Sequence, residues 1–288
     1  MATATGTAGS PDPAAPTPST PIARPPATRP LGPDLVRAEW TKLRTVRSTW
    51  WALALTMVGM VVLGALFCAR YGIGGISPAD RASFDPAAWS LSGFFLAQLA
   101  VGVLGVLAVT SEYATGSIRA TLAATPQRRA VLGAKAVVVG TSTLLVGVAS
   151  SFAAFLVGQA ILAHKGLQAH LGDPGVLRSV LGAGLYLAVL CLLALGLGTL
   201  VRSTVGATAV VVGLVFILPG IVGALPSSWE TAVTPDLLSD AGQALIGRTK
   251  FAPQGLHLLS PWVGFAVVCA YAAAALATAA VVLRRRDA

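Results

Sequence analysis

One acidic side chain, Glu112, stands at the end of a long uncharged apolar run. The segment after it is basic and is broken by a glycine and a proline, and it contains Gly116, Arg119, Pro126, Arg128, Arg129 and Lys135. A carboxylate in the bilayer costs about 2 to 3 kcal/mol at its centre and less near its surface, unless it reaches water or a cation. Ion pairing and charged contacts with a partner are therefore the chemistry that this pattern predicts. We interpret residues 112–135 as a docking surface, with an ordinary positively charged loop as the alternative.

A second charged pattern precedes the first apolar run, from Asp34 to Arg47. Val36, Trp40 and Leu43 fall on one stripe of a helix that Asp34 would cap, and cations occupy much of the remaining surface. The spacing predicts an amphipathic helix in the membrane interface, whose apolar face lies in lipid. A charge cluster that only orients the chain is the alternative.

Other chemistry has few candidate residues. The only three histidines are His164, His170 and His257, and none falls in an apolar run. A solvated loop explains His164, His170 and Asp173 better than a metal site does. The sequence contains no Gly-x-x-x-x-Gly-Lys-Ser/Thr motif, so we expect no ATP hydrolysis by this chain alone and no cofactor of its own. An intramembrane enzyme remains a third hypothesis, without visible catalytic residues.

The elements that position these residues are membrane spans. Only 11% of the 288 residues are charged, against about a quarter in soluble domains. Six uncharged runs are long enough to cross a hydrocarbon core of about 30 Å. They are Trp50–Ala69, Trp89–Thr110, Ala136–Ala163, Ser179–Val201, Val205–Leu225 and Pro261–Leu283. The predicted fold is an all-α membrane protein with six transmembrane helices.

Charge asymmetry predicts the orientation. The N-terminal region, the 111–135 loop, Arg202 and the C-terminal arginines hold 14 of the 20 basic residues, and the opposite face holds six. The positive-inside rule therefore places both termini in the cytoplasm, and the net charge of +9 indicates orientation rather than nucleic-acid binding. Residues 1–33 include nine prolines and no apolar run, which predicts a disordered cytoplasmic tail before a six-span transmembrane domain at 34–288.

Two further patterns concern helix contacts and the outer loop. Paired small residues recur in the spans and predict close contacts between helices. These pairs are Gly102 and Gly105, Gly182 and Gly184, Gly196 and Gly198, and Gly206 and Gly213. In the outer loop, Thr234-Pro235-Asp236 begins a predicted helix that Gly247 ends. Its apolar face, which includes Leu238, Ala241 and Leu245, predicts a helix that dips into the outer leaflet.

The charged patterns resemble those of a known family. Glu39-Trp40-x-Lys42-Leu43-Arg44 before the first span, and Glu112, Gly116, Arg119, Pro126, Arg128, Arg129 and Lys135 after the second, are similar to the permease subunit of bacterial type-2 ABC exporters. The resemblance implies that the N-terminal segment is a connecting helix and that residues 112–135 form a coupling helix. It also implies that Glu112, Gly116 and Arg119 form the hinge and start of that coupling helix, and that Pro126 to Lys135 form its exit.

The same resemblance implies the partners. A separate ATP-binding cassette ATPase subunit would bind the ATP, and a second permease copy or a paralogue would complete the pathway in the lipid bilayer. Arg outnumbers Lys by 16 to four, and Ala and Gly are abundant, as expected from a GC-rich bacterial genome. The expected location is therefore a bacterial plasma membrane. The rival interpretation is a non-transporting membrane scaffold or signalling subunit.

Overall fold

The computed structural model describes residues 32–71, 84–118, 121, 127–226, 233–247 and 259–285, and every regular element among them is helical. The predicted tail at 1–33 lies outside the described residues, apart from Gly32 and Pro33, which are helical. The helices, numbered here α1 to α9, are Gly32–Thr45, Arg47–Arg70, Pro86–Ser90, Phe94–Ala114, Arg128–Ala163, Val176–Val201, Thr204–Val222, Leu238–Ile246 and Pro261–Arg285.

Six of these helices are long and apolar enough to cross a membrane, which confirms the predicted spans. They are α2, α4, α5, α6, α7 and α9, and they contain 19 to 36 residues. Because successive spans alternate in direction, α1, the end of α4 and the start of α5 meet at one end of the bundle. We call this the α1 end. The opposite end, where α2 and α5 finish, is called the far end.

Two predicted span boundaries are wrong. Helix α5 begins at Arg128, eight residues before the predicted start at Ala136, because no proline lies between these two positions and exposed charge does not end a helix. Span two begins at Phe94 rather than Trp89, because the chain turns between Ser90 and Phe94. In that turn a side chain at Gly93 would overlap the backbone of Met60 on α2, so glycine permits the close approach.

Helix α6 is the centre of the bundle, since 72% of its most apolar 18-residue stretch is buried, which is the highest share among the six spans. It packs on α4, α5 and α9. A Cβ atom at Gly184 would lie 2.7 Å from the backbone nitrogen of Val148, and one at Gly196 would lie 2.9 Å from the carbonyl carbon of Ala275. The predicted packing role of the small residues is therefore confirmed at these positions, whereas Gly213 has no atom within 4 Å of such a Cβ.

Helix α7 contains an irregularity with an identifiable cause. Residues Gly213–Ile217 form a π-helical turn two residues before Pro219. Proline lacks the N–H that an α-helix needs and its ring crowds the carbonyl four residues earlier. The wider turn accommodates it within a continuous span.

The outer-loop helix forms as predicted but packs differently. A 3-10 turn at Thr234–Asp236 leads into α8, and Gly247 ends it in the left-handed region at φ 83°. The apolar face of α8 is buried against α6 and α9 rather than in lipid. Gly242 explains the close fit, because any side chain there would overlap the ring of Tyr186 on α6. The apolar face of α8 thus meets protein, and the position of α8 relative to the outer leaflet stays a prediction.

Candidate functional site

Helix α1 turns a charged face towards the bundle. It packs mainly on α5, and Glu39 on its inward side is only 6% exposed. Trp40, on the apolar stripe that the sequence predicts to lie in lipid, is 42% exposed. The predicted helix is present, but it begins at Gly32, so Asp34 lies in its first turn rather than at its cap. An acid on the buried face needs a cation nearby.

Four ionised side chains satisfy that need, and we call Glu39, Lys42, Glu112 and Lys135 the charge cluster. Lys135 Nζ donates to Glu39 Oε2 at 2.6 Å and to Glu112 Oε1 at 2.9 Å. Lys42 Nζ donates to Glu39 Oε1 at 2.8 Å and to Glu112 Oε1 at 3.1 Å. Each acid therefore touches two lysines and each lysine two acids, in an alternating ring of zero net charge.

The ring joins three segments that are far apart in the chain. Glu39 and Lys42 stand three residues apart on α1, Glu112 lies in the last turn of α4, and Lys135 lies in the second turn of α5. Lys135 was expected in the loop, at the exit of the coupling helix, and this placement is wrong. Because α5 starts at Arg128, Lys135 is already inside the bundle, where it is 5% exposed.

Burial and charge act in opposite directions on the pKa values of Glu39 and Lys42. Burial by itself would raise the pKa of Glu39, but attraction and hydrogen bonding by Lys135 and then Lys42 outweigh it, so this pKa lies below its ordinary value. Burial would lower the pKa of Lys42, but hydrogen bonding and attraction to Glu39, together with Glu112, raise it above its ordinary value. Glu39 and Lys42 are therefore charged at neutral pH.

The chain reverses directly beyond Glu112. Helix α4 ends at Ala114, and Gly116 adopts a left-handed backbone with φ 71°, as expected of the predicted hinge. Ser117 and Ile118 are helical again, and Ile118 is buried at 6% exposure. Thr121 then comes within 3.5 Å of Lys42 Nζ, at the long limit of a hydrogen bond. The segment after the hinge therefore returns to the charge cluster.

The other predicted coupling residues lie outside the ring. Arg44 and Arg129 are exposed, and Arg128 donates from Nη1 to the carbonyl of Leu283 at 3.0 Å, which ties the start of α5 to the end of α9. Arg119 and Pro126 fall outside the described residues. The structure therefore brings together four of the ten predicted residues, Glu39, Lys42, Glu112 and Lys135.

The sequence predicted all four residues of the ring as site residues, but it did not predict every pairing among them. It expected a cation of the same loop to pair with Glu112, and Lys135 does so. The pairing of Glu39 with Lys135 across 96 residues was missed. The only local signal was the spacing of Glu39 and Lys42, which places both on one face of α1.

A polar network of different character lies at the far end. Gln159 on α5 donates to Ser90 Oγ at 2.9 Å and to the carbonyl of Pro86 at 3.1 Å, and it accepts from the N–H of Ala169 at 2.7 Å. Lys165 donates to the carbonyls of Cys68, Ala69 and Tyr71 at 2.6 to 3.0 Å, which closes the C-terminus of α2. We call these contacts the far-end network.

The predicted alternatives for catalysis and for the pathway can also be located. Ser150 and Ser151, polar side chains within the apolar span α5, are buried and donate to carbonyls of their own helix, so packing accounts for them. His164 and His170 are exposed, and the backbone N–H of His170 donates to Asp173 within a local turn. Among the described residues, no group of three or more His, Cys, Asp or Glu is placed to hold a metal.

Six spans with a buried charge cluster at one end define a multi-pass membrane protein. The model of a family described as ABC-2 family transporter protein matches residues 35–220, which is more than half of the chain. The chain therefore belongs to this family and is a transport permease of the type-2 ABC class. A search of curated proteins finds no match.

Proposed function

We propose that this chain is the membrane subunit of an ATP-driven exporter and that a separate ATP-binding cassette subunit docks at its α1 end. Family membership supports an ATPase partner in general. The charge asymmetry of the sequence supports a cytoplasmic α1 end, since that side holds 14 of the 20 basic residues. The chain itself lacks the phosphate-binding motif, so ATP is held by the partner.

The charge cluster carries this proposal. Lys42 on α1 contacts the end of α4 and lies at the limit of contact with Thr121, in the segment after the hinge. Lys135 contacts both α1 and α4 from within α5. A partner that pushes on α1 or on the segment after Gly116 would therefore displace two spans together.

Two other functions deserve comparison. A non-transporting scaffold would use the same spans only as an anchor, and it would have no need to connect α1 to α4 and α5 by buried ions. An intramembrane enzyme would need reactive groups, and the described residues offer no cluster of metal-ligand type. The buried ring favours the transport subunit over both.

The proposed exporter also needs a second membrane subunit and a membrane in which it resides. A second permease copy or a paralogue completes the export pathway, and the complex resides in a bacterial plasma membrane. Large apolar side chains on the peripheral spans are available for lipid or for the second copy, since Trp51 is 75% exposed on α2, Val205 82% on α7 and Trp262 64% on α9.

Co-purification and topology test the proposal. We expect an ATPase subunit to co-purify with the tagged chain and to hydrolyse ATP, and we expect the isolated chain to hydrolyse none. Cysteines introduced at Thr41 and Gly133 should react only from the cytoplasm, and those at Arg70 and His164 only from outside. Labelling of the two pairs from the same side, or ATPase activity of the isolated chain, would contradict the proposal.

A further inference from the structure

An open cavity of about 550 Å³ lies at the α1 end, between the start of α5 and the end of α9. The described residues that line it are Gln127, Arg128, Arg129, Ala130 and Arg284. Three of these five are arginines and none is acidic. The volume lies within the range of small-molecule sites, about 300 to 1,000 Å³. The cavity therefore has the size of a ligand site and a wall that is charged with one sign.

The arginines of this cavity differ in their contacts. Arg128 donates from Nη1 to the carbonyl of Leu283 at 3.0 Å, which holds the α5 side of the cavity to the α9 side. Arg129 and Arg284 are exposed, and neither makes a hydrogen bond or an ion pair with another described residue. In the charge cluster, by contrast, each lysine contacts two acids. The charge of the cavity is therefore available to an anion, whereas the charge of the cluster is already neutralised.

Exposed apolar stripes lead from both arginines towards the middle of the spans. On α5, Gly133 and Val137 follow Arg129 at intervals of four residues, so they share its face, and both are exposed. A Cβ atom at Gly133 would meet no atom within 4 Å, so the space beside this stripe is open. On α9, Val281 lies one turn before Arg284 and is 41% exposed. A ligand with an anionic head and apolar chains would therefore find a matching surface on both helices.

We propose that this cavity binds the phosphate of an anionic phospholipid, with Arg129 and Arg284 as donors and with the acyl chains along the exposed stripes of α5 and α9. Arginine suits this role because its planar guanidinium donates two parallel hydrogen bonds to phosphate oxygens. Basic pockets between transmembrane helices commonly bind anionic headgroups. A zwitterionic headgroup would bring its own cation to a cationic wall, so it binds less well. The site does not depend on transport.

The stripes favour a phospholipid over two other sources of negative charge. A free phosphate ion would contact the arginines but would leave the apolar surface unused. An acidic segment of an ATPase subunit would approach from water and would likewise need no apolar surface beside the spans. Only a lipid uses the cationic cavity and the stripes together.

The test compares phospholipids that differ in headgroup charge. The full chain is placed in nanodiscs of equal parts phosphatidylglycerol, phosphatidylethanolamine and phosphatidylcholine with identical acyl chains. It is then released into native mass spectrometry, and the lipids that stay bound are identified. We expect phosphatidylglycerol to be retained about tenfold or more over either of the others, since each arginine near an anionic lipid contributes about fivefold. Equal retention of the three lipids by the wild-type protein would overturn the proposal.

A double variant and a charge-matched control locate the binding. Arg129→Gln with Arg284→Gln removes two cations of the cavity and should abolish the preference, and Arg284→Gln alone should reduce it about fivefold. Arg37→Gln with Arg47→Gln removes two exposed cations of the same end that do not line the cavity, and it should leave the preference unchanged. Unfolding midpoints identify any variant that fails to fold, and Arg284→Gln alone then carries the test.

Two results with these variants would contradict the site. A preference that survives the loss of Arg129 and Arg284 in folded protein would place the lipid elsewhere. A preference that falls equally in the cavity variant and in the control would show that the general positive charge of the α1 end attracts the lipid. Either result would overturn the proposal.

A competition arm separates the phospholipid from the other two anions. Inorganic phosphate added in excess before release should leave phosphatidylglycerol bound, because it cannot use the apolar stripes. A bound ATPase subunit should also leave the lipid in place. Displacement by inorganic phosphate would assign the cavity to a soluble anion, and displacement by the ATPase subunit would assign the arginines to that subunit. Either displacement would overturn the assignment to a phospholipid.

Discussion

The two ends of the bundle both connect segments that are distant in sequence, but they do so with different chemistry. At the α1 end, two acids and two lysines join α1, α4 and α5 in a buried ring. At the far end, the neutral amide of Gln159 joins α3, α5 and the loop after α5, and one lysine closes α2. Both ends therefore connect segments that are distant in sequence, but within the part of the chain that the structure describes only the α1 end does so with paired charges.

The difference indicates how each end responds to force. Hydrogen bonds between neutral groups weaken steeply when their distance or angle changes, so the far-end network holds one geometry. Opposite charges still attract when they separate, because Coulomb energy falls only with the inverse of distance. The alternating ring also lets each lysine keep one acid while it leaves the other. We infer that the α1 end is built to move and the far end to stay fixed.

The largest effect should come from removing one cation of the ring. Lys135→Met leaves two buried carboxylates with Lys42 alone, and breaking a buried pair in this way costs about 3 to 5 kcal/mol of the free energy of unfolding. The measurement is unfolding in detergent, with the wild-type protein beside the variant. A loss below about 1 kcal/mol would contradict the burial of the ring.

A double variant separates stability from coupling. Lys135→Met with Glu112→Leu leaves the Lys42 and Glu39 pair intact, and replacing a buried ion pair by apolar groups is often neutral for stability. We expect the double variant to recover most of the stability lost in Lys135→Met. A double variant as unstable as the single one would show that the ring needs all four charges to fold.

The sequence predicted the spans well because their signal is local. Absence of charge over about 20 residues is enough to identify a transmembrane helix, and all six were found. The hinge at Gly116 was likewise found, since a left-handed residue favours glycine. Contacts between segments that are distant in the chain were harder to predict. No periodicity links Glu39 to Lys135. The early start of α5 was missed because a charge-free run marks the apolar part of a helix rather than the end of the helix.

The far end should respond less strongly to mutation. Gln159→Leu removes two donated bonds and one accepted bond, which leaves the N–H of Ala169 without that acceptor. Loss of such partners costs about 1 to 3 kcal/mol. We expect a lower unfolding midpoint with normal coupling per folded complex, measured as ATPase stimulation. Loss of coupling in folded Gln159→Leu protein would remove the contrast between the two ends.

The hinge should show a smaller, conformational effect. A Cβ atom at Gly116 would meet no other atom within 4 Å, so a substitution there causes no clash and tests only the φ of 71°. Gly116→Val should cost about 1 to 2 kcal/mol, because a β-branched residue disfavours the left-handed region. Gly116→Asn is the matched control, since Asn tolerates that region. Equal unfolding midpoints for the Val and Asn variants would show that the left-handed backbone is not required.

The pH dependence of stability should sharpen the comparison further. The lowered pKa of Glu39 stabilises the fold above the ordinary Glu pKa of about 4.3, and this contribution is lost as pH falls through the folded-state pKa. The raised pKa of Lys42 stabilises the fold below about 10.4, and this contribution is lost as pH rises through the folded-state pKa.

Unfolding midpoints should be measured between pH 3 and pH 11 on the wild-type protein and on Lys135→Met with Glu112→Leu. The comparison separates the pH-dependent stability that the ring contributes from that of other acids. Without Lys135, the main attraction on Glu39, the acid limb should begin at higher pH in the double variant. Coincident acid limbs would show that the ring does not set the acid sensitivity. Gln159→Leu, which removes no charge, should keep the acid limb of the wild-type protein.

The most direct test of the account is a pair of distances measured as ATP binds. In a background without the three native cysteines, spin labels at Gly133 and Val205 report at the α1 end on α5 relative to α7, which lies outside the ring, and labels at Arg70 and His164 report on the far end. All four positions are exposed. With the ATPase subunit bound, we predict that ATP changes the first distance and leaves the second unchanged. The first distance should stay constant in Lys135→Met with Glu112→Leu. An α1-end distance that ignores ATP in the wild-type complex would contradict the claim that the charge cluster transmits ATP-driven motion.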